Sequence, residues 1–246
     1  MRRAAVAVVA FGTLLGTLSA CGGAGPARTR EHQGAHGEPG RTHAPSSVPT
    51  ARFTRIPGVG DRLYRRIPAD SRQIVAVYGK GEDSADAEVV LYTRRGATWR
   101  QVDSWPAHNG RRGWTEHHHE GDKRSPVGVF TLTDAGGVLA DPATRLSYDR
   151  DTVAYAAPAA WPKAYQHDFD YVIAIDYNRR RGTPPRDATR PLGQEKGGGI
   201  WLHMDHGSGT SACVSVSRSA MKTLLRTLDP ARHPVVVMGD RAHLLR

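Results

Sequence analysis

Short runs of β-branched and aromatic residues, separated by turn-forming residues, are the feature that most limits the folds open to this chain. The clearest runs are QIVAVY, EVVLYT and TWRQV, at residues 73–78, 88–93 and 98–102. Residues of these types favour strands. The segment RRGA at residues 94–97 predicts a hairpin turn between the last two runs. Further strands are predicted at residues 127–132, 171–177, 199–203 and 235–238.

One amphipathic helix is predicted between the last two of these strands. Its apolar side chains follow i, i+3, i+4 and i+7 spacing: Met221, Leu224, Leu225 and Leu228. Ser217 or Ser219 can cap its start, and Pro230 lies just beyond its end. Many short strands with one well-marked helix predict a mainly β domain, a β-sandwich or barrel-like fold with one or two short helices.

The first residues of the sequence predict export. Arg2 and Arg3 precede an apolar run at residues 4–18. This run has the length of a signal-peptide core and is short for a membrane span. It ends in LSAC at residues 18–21, which resembles the bacterial lipobox, in which the cysteine is acylated and becomes the first mature residue. We therefore expect a lipoprotein signal peptide at residues 1–20 and lipidation at Cys21, with a plain cleaved signal peptide as the alternative.

A flexible tether is predicted between the anchor and the domain. Residues 21–52 are rich in Gly, Pro, Ser, Thr and Ala and contain almost no large apolar side chain. Such a segment cannot bury enough apolar surface to offset the entropy of ordering. We expect the folded domain at residues 53–246, held by acyl chains on the extracytoplasmic face of the cell membrane.

Cys213 is the second of two cysteines in the sequence. With Cys21 assigned to the anchor, it has no partner for an intramolecular disulfide, so it is either a buried packing residue or a reactive thiol. The residues before it, GSGTSA at 207–212, form a Gly-rich stretch, and the predicted helix follows. Backbone N–H groups in such an open loop can form an oxyanion hole. Cys213 is therefore a candidate nucleophile, with the packing interpretation still open.

A thiol nucleophile needs a base, because the thiolate is the attacking species. His203 ends a predicted strand ten residues before Cys213, and His206 opens the Gly-rich stretch. Asp205 lies between them and is a candidate to orient an imidazole. We expect His203 to be the base, because a strand end holds a side chain in a fixed direction. An imidazolium there would lower the pKa of Cys213 below its usual value of about 8.5.

Three segments carry a resemblance to a known family. Residues 201–217, WLHMDHGSGTSACVSVS, resemble the signature of L,D-transpeptidases with a YkuD-type catalytic domain, where a histidine precedes a Ser/Thr-x-Gly-Cys-Val/Ile stretch. Residues 120–130, EGDKRSPVGVF, resemble the family's glycine-aspartate, threonine-proline, glycine-phenylalanine segment, with Ser125 in the threonine position. Residues 171–178 and the polar loop after them are similar to the strand and substrate-covering loop of one subgroup. The resemblance extends over about residues 73–240.

The resemblance implies an enzyme that forms or remodels peptide cross-links of peptidoglycan through a cysteine acyl-enzyme. It implies catalytic roles for Cys213, His203 and Ser211. The residues expected to contact substrate are His206, Gly209, Ala212 and Asp205. If water resolved the thioester in place of an acceptor amine, the same site would be an L,D-carboxypeptidase. No metal and no organic cofactor is implied.

Two residues depart from the family pattern. Ser211 stands where much of the family has a second histidine, and Ala212 stands where a glycine precedes the nucleophile. Ser211 can donate a hydrogen bond to the base or the oxyanion. Ala212 brings a Cβ to a position where glycine permits unusual backbone angles or close substrate approach. A wall-binding lipoprotein with weak catalysis is therefore the alternative function.

The charge of the chain favours an anionic partner. The formal net charge is +10, which suits polyanions in general. The sequence has no zinc-ligand spacing, aromatic RNA-binding stripe or recognition-helix pattern, so we do not expect a nucleic-acid partner. Peptidoglycan stem peptides, and with them anionic wall polymers, are the expected partners.

Two clusters of ionisable residues invite other functions. His117, His118 and His119 are adjacent in sequence and lack partner ligands at zinc spacing, so we interpret them as part of a polar loop. Asp168 and Asp170 could be the carboxylate pair of a glycosidase, but their place beside a strand start predicts ordinary solvated charges.

Overall fold

The computed structural model describes residues 51–246. The predicted signal peptide and the lipidation site Cys21 lie outside the described residues, as does nearly all of the predicted tether. None of the described helices has the length and apolar character needed to cross a membrane. The described chain is mainly β, which confirms the predicted fold class.

The bounds of the elements are as follows. The strands are β1 Arg52–Phe53, β2 Gln73–Gly79, β3 Asp86–Arg95, β4 Thr98–His108, β5 Trp114–Thr115, β6 Ser125–Pro126, β7 Gly128–Thr131, β8 Asp134–Gly137, β9 Ser147–Arg150, β10 Val172–Ala174, β11 Trp201–Met204, β12 Val214–Val216 and β13 Val235–Asp240. The α-helices are α1 Asp61–Tyr64, α2 Arg218–Thr227 and α3 Arg241–Leu245. Short 3₁₀ turns cover Lys163–Tyr165, Gln194–Lys196 and Pro230–Arg232.

Most strands join one large mixed sheet. Its order is β7-β13-β2-β3-β4-β12-β11-β10-β8-β9, with β1 beside β4, while β5 and β6 form a separate pair. The predicted hairpin between β3 and β4 is confirmed, because Arg95 pairs with Thr98 and leaves a two-residue turn. Gly96 occupies the first turn position with a φ of 58°, which glycine adopts without strain.

Strand β2 is buried along its whole length and separates two apolar clusters. Ile74 and Ala76 pack in the cluster that contains residues of α1 and α3, whereas Val75 and Val77 pack in the larger cluster with α2. Successive side chains of a strand point to opposite faces, which explains this alternation. The larger cluster fills the side of the sheet that supports the cavity described below.

The predicted helix is confirmed as α2. The Ser217 hydroxyl accepts a hydrogen bond from the Ala220 N–H at 3.2 Å, so Ser217 caps its start. The predicted apolar face is fully buried, and α2 packs on β11. The packing of α2 therefore holds β11 in place.

The strand predicted at residues 171–177 is shorter than expected. Only Val172–Ala174 stay in the sheet as β10. The Tyr177 N–H bonds back to the Ile175 carbonyl, and Asn178 takes a positive φ of 44°. A tight local turn therefore ends the strand early, and the chain leaves the sheet there.

The parallel pairing of β11 with β12 brings distant sequence together. Leu202 lies opposite Val214 and His203 opposite Ser215. The loop between the strands must therefore return to the beginning of β11 before β12 can start. This return places Cys213, the residue before β12, next to the first residues of β11.

Candidate active site

A cavity of about 360 Å³ lies beside β11 and the residue that precedes β12. Its lining comprises an arginine, an aromatic segment, an aspartate with two histidines, and the loop before β12: Arg111, Trp161, Pro162, Tyr165, Asp168, Phe169, His203, His206, Gly209, Thr210, Ser211 and Cys213. Five of the seven residues expected to be catalytic or substrate-binding are in this lining. Ala212 and Asp205 are not.

The thiol of Cys213 is half-buried and bonded to the backbone of the neighbouring strand. Its Sγ accepts a hydrogen bond from the Trp201 N–H at 3.4 Å and donates to the Gly199 carbonyl at 3.6 Å. Burial raises the pKa of Cys213 to about 11; the Trp201 N–H opposes this and the charge of Asp168 adds to it. The predicted lowering of this pKa is therefore wrong for the resting site, where the thiol is protonated and makes no hydrogen bond to an imidazole of the described chain.

His203 is buried in a fixed orientation. Its Nδ1 donates to the Met204 carbonyl at 2.8 Å, so in the neutral ring Nε2 is left as the acceptor. Burial lowers the pKa of His203 to about 4, against the opposing effect of that carbonyl. The ring also packs edge-on against Phe169, with centroids 5.4 Å apart. The site thus holds a neutral imidazole with one free lone pair.

His206 is held as firmly as His203, although the sequence places it at the start of a Gly-rich loop. Its Nδ1 lies 2.9 Å from Asp168 Oδ2, and its ring packs on Tyr165 with centroids 4.2 Å apart. The side chain is only 3% exposed. Its fixed orientation comes from Tyr165 and Asp168, which are remote from it in sequence.

Asp168 and Asp170 correct a sequence expectation, because both are buried rather than solvated. Asp168 pairs with His206, and Asp170 accepts from the Arg218 guanidinium at 2.6 Å. Burial raises the pKa of Asp168, while the charge of His206 and its hydrogen bond act in the opposite direction. The sequence signal was the aromatic residues next to them, Phe169 and Tyr171, at the start of an apolar strand.

Asp205 orients a different imidazole from the two beside it in sequence. Its Oδ1 accepts from the Ser215 hydroxyl at 2.6 Å and lies 2.8 Å from His108 Nδ1, and its Oδ2 accepts from the Gly207 N–H at 3.0 Å. Burial raises the pKa of Asp205, but these hydrogen bonds outweigh it and hold the pKa below its usual value. Asp205 therefore holds the loop from outside the cavity, and its carboxylate makes no hydrogen bond to His203 or His206.

The chain was also compared with known protein families. The sequence profile of the YkuD L,D-transpeptidase catalytic domain matches residues 83–237, more than half of the chain. The chain belongs to this family.

Other comparisons add little to the family match. Among solved structures, the chain is similar to Bdellovibrio bacteriovorus Bd1075, with 16% sequence identity and a TM-score of 0.38. The match covers 69% of this chain and 48% of that one, so this chain spans about half the length of the solved structure. No curated protein sequence matches the chain.

The YkuD-like segment at residues 120–130 supports the loop that carries Cys213. The fully buried Ser125 hydroxyl donates to the Ala212 carbonyl at 2.6 Å and accepts from the Gly110 N–H at 2.9 Å. It thus ties the residue before Cys213 to Gly110, two residues beyond the end of β4. The sequence marked this segment as part of the family pattern, but only the fold assigns Ser125 this positioning role.

A second set of bonds holds the same loop on its other side. The Thr210 hydroxyl donates to the Cys213 carbonyl at 2.6 Å. The Thr210 N–H donates to the Asn109 carbonyl at 2.9 Å, and the Arg111 N–H donates to the Thr210 carbonyl at 2.8 Å. The loop is therefore bonded across its whole width and presents Cys213 in one position.

The departures from the family pattern cause no strain in this YkuD domain. Ala212 is absent from the described non-glycine residues with positive φ, and its side chain packs in the larger apolar cluster. Ser211 is exposed and lines the cavity, and its hydroxyl has no hydrogen-bond partner in the described chain. Gly209 is required for close packing, because a Cβ there would lie 2.7 Å from Arg111 Cα.

The backbone near Cys213 offers free donors. Among the residues described, no carbonyl accepts from the N–H groups of Ser211, Ala212 or Cys213. Such free donors beside a thiol are the components of an oxyanion hole. Together with the free lone pair of His203, they allow acyl transfer chemistry at this site.

The histidine cluster at residues 117–119 is split by the fold. His118 is buried and lies 3.0 Å from Asp122, and burial lowers the pKa of His118, while His117 and His119 are exposed. The interpretation as a wholly polar loop is therefore wrong for His118, because its ring packs against Tyr177. The described residues contain no group of three His, Cys, Asp or Glu side chains that could hold a metal ion.

Proposed function

We propose that this protein is a peptidoglycan L,D-transpeptidase that forms or remodels wall-peptide cross-links through an acyl-enzyme on Cys213. The observation that carries the proposal is the placement of Cys213 and the neutral imidazole of His203 in one cavity of a YkuD domain. A thiol, a base with a free lone pair and unpaired backbone donors are the groups that thiol acyl transfer needs.

Acylation begins with proton transfer from Cys213 to Nε2 of His203. The thiol turns away from the Gly199 carbonyl as it loses its proton, and the Trp201 N–H, which already points at Sγ, stabilises the thiolate. Sγ attacks the carbonyl carbon of the donor stem peptide, and the N–H groups near Ser211 and Cys213 stabilise the oxyanion.

The tetrahedral intermediate collapses with loss of the terminal D-residue. The C–N bond breaks, and the amine leaves with the proton that His203 accepted from the thiol. Because burial disfavours the imidazolium of His203, this base returns its proton readily to the leaving amine. A thioester on Cys213 remains, and an acceptor amine then resolves it.

Arg111 is suited to recognise the carboxylate of the terminal D-residue. Its side chain lines the cavity and forms no ion pair with a described residue; its Nε makes only a long 3.5 Å contact to the Thr210 carbonyl. A guanidinium binds a carboxylate through two parallel hydrogen bonds. This contact would favour donors whose chain ends at the residue to be removed.

The location of the enzyme belongs to the same proposal. The lipobox-like residues before Cys21 support a lipoprotein held at the outer face of the cell membrane, within reach of stem peptides and anionic wall polymers. Mass analysis of the mature protein tests this: a diacylated N-terminal Cys21 is expected, and a secreted form that starts elsewhere contradicts the anchor. Cys21→Ala should remain unacylated.

The nucleophile is tested by intact-protein mass. The complete chain is exposed to a carbapenem, a drug class that forms a thioester with the nucleophile of this family. We expect one adduct on the peptide that carries Cys213, and none with Cys213→Ala, whose fold should be preserved because the change is small. Adduct formation at wild-type level in Cys213→Ala would refute the proposal.

The reaction type is tested with a tetrapeptide donor and a stem-peptide acceptor. Cross-linked product supports transpeptidation. A shortened peptide without cross-links, at any acceptor concentration, would identify a carboxypeptidase. Absence of both products and of the adduct would favour a wall-binding role instead.

A further inference from the structure

The cavity contains a second imidazole, that of His206, which has no role in the proposed acylation step. We propose that His206 is the base that takes the proton of the acceptor amine when the thioester is resolved, with Asp168 as its positioning residue. This inference rests on the proposed function and assigns the second half-reaction its own base.

The first observation is an unpaired atom. Nε2 of His206 is buried and has no hydrogen-bond partner in the described chain, although the ring lines the cavity. Leaving a buried polar atom unpaired costs about 1–3 kcal/mol. Such an atom in a cavity wall is expected where a ligand supplies the missing partner.

The second observation is the pairing on the other side of the ring. Nδ1 lies 2.9 Å from Asp168 Oδ2, and the Asp168 side chain is 4% exposed. An ionised carboxylate only accepts hydrogen bonds, so Nδ1 carries the ring proton and Nε2 carries the lone pair. The same carboxylate stabilises the imidazolium once Nε2 accepts a proton.

The third observation is the fixed relation between the two histidines. The Met204 carbonyl accepts from His203 Nδ1 at 2.8 Å, and the Met204 N–H donates to the Asp168 carbonyl at 2.9 Å. The rings are nearly parallel, at 16°, with centroids 6.3 Å apart. The backbone of Met204 therefore positions His203 directly and His206 through Asp168. The spacing of the two rings allows each to serve a different reacting atom.

The two imidazoles also differ in how they hold a proton. The pairing partner of His203 is a neutral carbonyl, so a proton there must move on at once to the leaving amine. The partner of His206 is a carboxylate, and its negative charge stabilises the protonated ring while the new bond forms. The acceptor amine needs a base of this second kind, because its proton is lost before the C–Sγ bond breaks, when no thiolate is yet present to take it.

The proposed step balances as follows. The neutral acceptor amine attacks the thioester carbonyl and forms the C–N bond, and one proton of that nitrogen passes to Nε2 of His206. The C–Sγ bond then breaks with its electron pair returning to sulfur. His206 releases its proton to solvent, and the thiolate of Cys213 takes a proton from solvent, which restores the resting site.

The two half-reactions can be measured separately with the complete chain. Acylation is followed by rapid-quench mass spectrometry with the tetrapeptide donor alone, and resolution by adding the stem-peptide acceptor to the preformed thioester. The variants are His206→Gln and Asp168→Asn. His167→Gln is the matched control, because its ring pairs with Asp170 at 3.2 Å but is exposed and outside the cavity lining.

We expect resolution by the stem-peptide amine to fall about 100- to 10,000-fold in His206→Gln, the usual range for a lost general base. Acylation should fall less than tenfold. Asp168→Asn should show the same split, and His167→Gln neither effect. Hydroxylamine, an α-effect nucleophile that cleaves thioesters without a general base, should resolve the thioester of both variants within tenfold of the wild-type rate.

Other outcomes overturn the inference in distinguishable ways. If acylation falls as much as resolution in both variants, His206 serves Cys213 or the fold. If resolution is unchanged, or if hydroxylamine is slowed equally with the stem-peptide amine, His206 is not the base. If the wild-type chain forms no thioester at all, the proposed function fails and this inference fails with it.

Discussion

The reactivity of Cys213 towards a small alkylating agent should report its raised pKa directly. With a pKa of about 11, only about 1 thiol in 10,000 is ionised at pH 7, whereas a free cysteine with a pKa of about 8.5 is about 3% ionised. The lower thiolate fraction slows alkylation about 300-fold. The greater nucleophilicity of the more basic thiolate returns about 10- to 20-fold of this. Cys213 should therefore react about 15- to 30-fold more slowly than free cysteine at pH 7.

The assay is iodoacetamide labelling across pH 6.5–10, read on the peptide that carries Cys213 so that Cys21 does not interfere. N-acetylcysteine is the free-thiol reference, and circular dichroism at each pH confirms the fold. Since a thiol with a raised pKa is protonated throughout this range, the rate should rise about tenfold per pH unit without levelling. The reference should reach half of its maximal rate at its own pKa and level about one pH unit above it.

A labelling rate that is already level at pH 7 would refute the reasoning, because it requires a thiolate–imidazolium pair in the resting site. His203→Gln supplies an internal check. Its labelling should stay within about threefold of wild type, since a neutral His203 does not promote ionisation before a donor binds.

Three substitutions, one of them with a matched control variant, test the remaining geometry. His203→Gln should slow acylation by a carbapenem about 100- to 10,000-fold, the usual value of a general base, and a change below tenfold would exclude His203 from that role. Ser125→Ala leaves a buried N–H and a buried carbonyl unpaired and should lower the free energy of unfolding in urea by about 2–4 kcal/mol. The control is Ser208→Ala, at an exposed position of the loop that carries the thiol, and it should change the free energy of unfolding by less than about 0.5 kcal/mol. Equal losses in the two variants would contradict the role of Ser125 in holding this loop. Gly209→Ala should cost about 1–3 kcal/mol and slow acylation, because the new Cβ collides with Arg111, and a fully active, equally stable variant would show that the loop is not closely packed there.

Local sequence patterns account for much of the fold. The apolar face of α2, its Ser217 cap, the continuous apolar run of the buried strand β2 and the hairpin turn at Gly96 all follow from neighbours a few residues apart. Side-chain periodicity and turn chemistry are short-range properties, so they can be read without knowledge of the sheet. The order of strands in the sheet depends on distant partners and was not predicted. The early end of β10 was not predicted either, although its cause is a local turn.

The sequence also identified five of the twelve residues that line the cavity. Cys213, His203, His206, Ser211 and Gly209 lie within eleven residues of one another, and the parallel return of β12 onto β11 keeps them together. Ala212 and Asp205 share the segment, but they point into the apolar core and toward His108. A segment can be assigned to a site by its motif, whereas the direction of each side chain depends on the elements packed around it.

Only the tertiary structure decided the protonation and the partners of these groups. Burial sets the pKa values of Cys213 and His203, and burial is a property of the whole packed domain. Asp168 reaches His206 across 38 residues of sequence, and Ser125 reaches the Ala212 carbonyl across 87. No local pattern encodes such contacts, because they exist only when the aromatic segment and the segment around Ser125 fold against the loop that carries the thiol.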